Sequence, residues 1–80
     1  MRGIITEINT RRGMASVKTD NGFSIFELLS QENINVGDEL EWSTDTLGDC
    51  KVKNITQDES IAVYFQNHSV AAVNVKKLLY

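Results

Sequence analysis

Asp20-Asn21-Gly22 separates two segments, residues 14–19 and 23–28, in which side-chain character alternates from residue to residue. Asn-Gly between two such segments is the strongest short-range signal for a β-hairpin. It commits this part of the chain to antiparallel strands, because a period of two buries one face only on a pleated strand. Residues 3–10 alternate in the same way, Ile4, Thr6 and Ile8 against Ile5, Glu7 and Asn9. Arg11-Arg12-Gly13 supplies the turn into the second strand. The chain therefore opens as a three-stranded meander.

The pattern continues after a polar stretch at residues 30–35 and a turn at Val36-Gly37-Asp38. Residues 39–43 predict a fourth strand, with Leu40 and Trp42 inward and Glu39 and Glu41 outward. Residues 43–49, STDTLGD, carry turn chemistry throughout. Residues 50–56 predict a fifth strand, Cys50 and Val52 on one face and Lys51 and Lys53 on the other. Residues 61–65 form a sixth, short strand. Ser69 is placed to N-cap a helix over residues 70–79, with Ala71, Val75, Leu78 and Leu79 on one stripe. The β-branched Val70, Val73 and Val75 suit a strand there too, and both readings stay open.

Eighty residues allow one domain with a modest core. Eight lysines and arginines stand against eleven acids, a net charge of −3. Nucleic-acid affinity draws mainly on cations that neutralise phosphates, so only a local basic patch could support it here. One cysteine forms no internal disulfide, which suits a reducing compartment. No apolar run has the length of a membrane span, and the N-terminus lacks the apolar stretch of a secretory signal. The expected location is the cytoplasm, with no membrane partner.

Catalytic chemistry finds little footing. Cys50 and His68 are far apart in sequence, and one cysteine with one histidine cannot complete a zinc site. There is no phosphate loop and no dinucleotide fingerprint. The acidic residues are scattered singly or in pairs at turns and strand starts. No enzyme, no cofactor and no metal is expected. Trp42 reads as core, Cys50 as a small buried hydrophobe and His68 as a surface residue in a turn.

Strands in this order, with a longer connection before the fourth, suit an all-β fold: a small five-stranded Greek-key barrel of the OB type with a C-terminal appendage. Gly3-Ile4-Ile5, Asn9 ahead of Arg12-Gly13, Asp20-Asn21-Gly22, Ile25-Phe26 with Ser30, Val36-Gly37-Asp38-Glu39-Leu40, and Gly48 followed by Val52, Asn54 and Ile55 carry a resemblance. In these residues, from Gly3 to Thr56, the chain resembles a bacterial cold-shock domain. The barrel is then expected over residues 1–57, with residues 58–80 as an appendage packed on the same domain.

The resemblance implies binding of single-stranded RNA or DNA on the second and third strands. The family's first motif, basic-Gly-aromatic-Gly-aromatic-apolar, falls on Arg12-Gly13-Met14-Ala15-Ser16-Val17, with Met14 and Ser16 where aromatics belong. In its second motif Phe26 keeps the aromatic position, and Leu28 replaces the histidine. The expected site is Arg11, Arg12, Lys18, Lys51 and Lys53 on phosphates, Phe26 stacking on a base and Met14 as an apolar contact. It requires Phe23 and Ile25 to face inward and Phe26 outward; if the third strand bulges, Phe26 is core and Glu27 is the exposed end. It also requires the basic residues, with Arg2, to form one region; otherwise they are solvated strand edges that discourage pairing. Weak, sequence-tolerant nucleic-acid binding is the first reading. The rival is a protein-interaction or homodimer module that kept the barrel and lost the platform. The C-terminal segment is expected to cap the barrel mouth. Two other roles stay open: it could cover the nucleic-acid face, or present Tyr64, Phe65 and Leu78-Leu79-Tyr80 to a protein partner.

Overall fold

The computed structural model describes residues 1–43 and 46–80. Six strands close into an antiparallel barrel: β1 (Arg2–Asn9), β2 (Met14–Thr19), β3 (Gly22–Leu28), β4 (Glu39–Glu41), β5 (Gly48–Asn54) and β6 (Glu59–Val70). A 3-10 turn at Ala72–Asn74 and a short helix, α1 (Val75–Leu79), follow. Around the barrel the order is β1-β2-β3-β6-β5-β4, and β4 returns to pair with β1. The run β4-β1-β2-β3 is a Greek key, since β4 comes back over a long connection to lie beside β1.

The opening meander forms as the alternation predicts. Thr19 pairs with Gly22 across the hairpin tip, and Gly22 takes the positive φ of 100°. A side chain there would also meet the carbonyl oxygen of Val70 at 2.9 Å, so the turn needs glycine twice over. Residues 44 and 45 of the expected 43–49 turn lie outside the described residues.

Alternation places Ile5, Ala15, Val17, Phe26, Leu40, Trp42, Val52, Ile61, Val63 and Phe65 inside the barrel. Phe65 is the hub: Phe26 meets it edge-on at 5.8 Å, and the Trp42 ring lies 5.1 Å away. Trp42 and Leu40 face inward as expected. Cys50 is only half-buried and packs against this core.

Two expectations are corrected. The barrel has six strands, because residues 59–70 do not form an appendage. They make a twelve-residue strand that pairs with both β3 and β5. β3 and β5 run the same way, since each is antiparallel to β6; interposing β6 replaces one parallel contact by two antiparallel ladders, which pair slightly better per residue. Register shifts opposite Ile25 bend this long strand around the barrel.

The helix is shorter than the stripe suggested. Val70 still pairs with Phe23, and Ser69 sits at φ 56° as a bend in β6, not as an N-cap. Only Val75 and Leu79 of α1 are fully buried, with Leu78 half-buried and Ala71 exposed. β-Branched Val70 went with the strand, and the helix begins where the chain leaves the sheet.

Candidate functional site

Inside-outside phase decides the fate of the expected nucleic-acid platform. Ala15 pairs with Phe26 across β2 and β3, and both are completely buried in the barrel. The outer face of these strands carries Met14, Ser16 and Lys18 from β2 and Phe23 and Ile25 from β3. Phe26 therefore cannot stack on a base, and the expectation that it faces out is corrected. A small residue opposite a large one lets the phenyl ring reach the barrel axis and Phe65.

The outer face is itself covered. Val75 and Leu79 pack on Met14, Ile25 and Val70, with Phe23 and Leu78 at the margin. Polar contacts hold the helix in place. Asn9 Nδ2 donates to the Leu79 carbonyl at 2.8 Å, and Arg12 Nη1 donates to the carbonyls of Leu79 at 3.3 Å and Tyr80 at 3.1 Å. Hydrogen bonds from Tyr80 and Lys76 hold the Glu7 carboxyl below its usual range, and Glu7 in turn pushes the Tyr80 hydroxyl up. The C-terminal segment thus lies over the β2–β3 face and does not cap the barrel mouth.

The basic residues fall into separate groups: Arg11 and Arg12 stand together at the β1–β2 turn, and Arg2 and Lys18 line one hollow with Glu39. Arg2 lies between Glu39 and Glu41, 3.2 Å from each. Lys53 pairs with Asp58 at 2.6 Å and stands opposite Glu41 in the β4–β5 register. Cations and carboxylates so alternate around this side of the barrel. Lys18 and Lys51 are exposed on strands separated by β1 and β4. Arg11 is exposed at the β1–β2 turn and, among the described residues, has no ion pair. Arg12 points its guanidinium at the helix end.

His68 is half-buried and not a surface turn residue. Its Nε2 lies 2.9 Å from the Thr46 carbonyl and its Nδ1 2.7 Å from Ser24 Oγ. A carbonyl only accepts, so Nε2 donates to it and Nδ1 receives the Ser24 hydroxyl proton in the neutral ring. Ser24 is 2% exposed and lies within the sheet, so this pair fastens the β4–β5 connection to β3 and β6 and offers no nucleophile to a substrate. Burial pushes the Cys50 thiol up, away from thiolate chemistry. Among the described residues no group of three metal-ligating side chains forms, and no helix is long and apolar enough to cross a membrane.

Asp38 is the buried carboxylate. Its Oδ2 accepts from the Asn35 backbone at 3.0 Å, Asn54 Nδ2 at 2.9 Å and Gln57 Nε2 at 2.7 Å. Burial raises its pKa, but the three hydrogen bonds outweigh burial and hold the carboxyl below its usual range. The residue locks the entry to β4 onto the turn that follows β5.

One open groove was not foreseen. It lies between the β1–β2 turn and the residues that follow β3, with a volume of about 870 Å³. Ile8, Leu28 and Ile34 form an apolar floor, and Leu29 and Arg11 stand at the rim. The polar stretch at residues 30–35 hid it: an isolated Ile34 among polar residues was the only sign in the sequence. No family model, no curated protein and no solved structure matches this chain.

Proposed function

We propose that this chain is a small non-enzymatic protein-interaction module. The observation that carries the reading is the α1 cover on the outer face of β2 and β3, with Phe26 turned into the core. Base stacking contributes about 1–3 kcal/mol per base, and that platform is absent from the open surface. The charge balance points the same way, since Arg2 and Lys53 already face carboxylates. The Greek-key return of β4 to the side of β1 supports an OB-type reading of the barrel, and we keep kinship with the cold-shock domains as part of this proposal. A cytoplasmic setting suits the single unpaired thiol.

The test is an NMR titration with short single-stranded RNA and DNA at about 50 mM and about 200 mM salt. We expect no shifts on β2, β3 or β5 at either salt. Shifts around Arg12, Lys18 and Phe23 that fade at the higher salt would overturn the reading. They would favour weak single-stranded nucleic-acid binding with the helix displaced.

A further inference from the structure

We propose that the groove beside β1 takes an extended segment of a partner protein, apolar at alternate positions and with a carboxylate opposite Arg11. This rests on the protein-interaction reading and names its site and the chemistry of its partner. The barrel wall is incomplete there. β1 has eight residues, but β4 has three and pairs only with Arg2, Gly3 and Ile4. One further step of backbone bonding follows: Ile5 donates to the Asp38 carbonyl at 2.9 Å, and Gly37 donates to the Ile5 carbonyl at 2.8 Å. Beyond Ile5, among the described residues, no backbone hydrogen bond joins β1 to the segment across the groove. The end of β1 is therefore a strand edge inside a closed barrel, and an unpaired edge is a template for an added strand.

The side chains fit that use. An added strand sends alternate residues to one face. Here the receiving surface is the floor of Ile8, Leu28 and Ile34, with Leu29 51% exposed beside it. The volume lies in the range of sites that bury a ligand, about 300–1,000 Å³. Charge selects the partner. Arg11 faces solvent with no ion pair among the described residues, and Arg12 is engaged by the helix carbonyls. Glu32 is the one carboxylate in the groove lining, where it accepts the Ser30 hydroxyl at 2.8 Å and keeps its charge, so Arg11 and Arg12 leave the lining with an excess of positive charge. Two cations against one carboxylate make the lining net positive, and an acidic peptide complements it. Among the described residues no aromatic side chain lines the groove, so a nucleic-acid base finds no stacking partner there.

The experiment uses the full chain as bait for a displayed library of short random peptides. A synthetic copy of an enriched sequence is then titrated into isotope-labelled protein. We expect enriched sequences to alternate apolar with acidic residues and to shift the amides of Ile8, Leu29 and Ile34. Arg11→Glu and Leu29→Asp, both at exposed side chains, should each weaken binding about tenfold or more while amide dispersion stays native. No enrichment over bare support overturns the proposal, as does binding that is indifferent to both variants. Peptides that bind but shift residues elsewhere overturn the groove alone and leave the interaction reading standing. Salt-sensitive oligonucleotide shifts on β2 and β3 would overturn that reading itself.

Discussion

Ala15 and Phe26 face each other across the β2–β3 ladder, and neither side chain reaches solvent. That pairing settles which face of the hairpin is inside. It also makes Phe26 a stability residue. Phe26→Ala should cost about 3–5 kcal/mol, as expected for emptying a packed aromatic site. Urea unfolding measures it; a loss below about 1 kcal/mol would mean the ring is not in the core.

The helix cover depends on Asn9, whose buried amide donates to the Leu79 carbonyl at 2.8 Å. Asn9→Ala leaves that carbonyl with the weaker Arg12 contact alone. We expect a loss of about 1–2 kcal/mol. Hydrogen exchange should quicken first at Leu79 and Tyr80 while the barrel amides stay protected. Uniform acceleration through β5 and β6 would refute a separable cover.

Asp38 predicts a pH dependence. Its folded pKa is depressed, so its stabilisation is present above the unfolded carboxylate value of about 3.9 and is lost as pH falls through the folded value below it. Asp38→Asn removes the charge that receives three donors. Wild type should lose stability steeply below about pH 4, and Asp38→Asn should lose less over the same interval while being weaker at neutral pH. Equal acid limbs in urea melts across that interval would exclude Asp38 as a source.

Gly3 marks a close approach of β1 to β2. A Cβ there would lie 2.5 Å from Val17 Cγ1 and 2.6 Å from the Lys18 carbonyl oxygen. Backbone cannot yield cheaply, so Gly3→Ala should cost about 1–3 kcal/mol by thermal melt. An unchanged midpoint would show that the β1–β2 ladder is looser than this spacing.

Cys50 should react slowly with a disulfide reagent at neutral pH, because burial pushes its thiol up. Rates in the folded protein well below those in urea would agree; equal rates would place the thiol in open solvent.

Much of the fold was legible in local pattern. The period of two in residues 3–28, the Asp20-Asn21-Gly22 tip and the inward pair Leu40 and Trp42 all follow from side chains that must bury one strand face. The same pattern could not say which face of β3 is inside. Phe23, Ile25 and Phe26 offer apolar residues to both sides, so strict alternation is satisfied with either face inward. The candidate site inherited that ambiguity, and its error on Phe26 has this one cause.

The sequence by itself determined the opening meander, the Asp20-Asn21-Gly22 turn and the acidic balance of charge, because these depend on composition and on neighbours a few residues apart. The tertiary structure alone decided that residues 59–70 would complete the wall and that α1 would cover β2 and β3. It also decided that a short β4 would leave the end of β1 open. Each of these joins residues distant in sequence. Their geometry comes from closing the barrel, where every strand must find two partners at once, and no local propensity records which partners those will be.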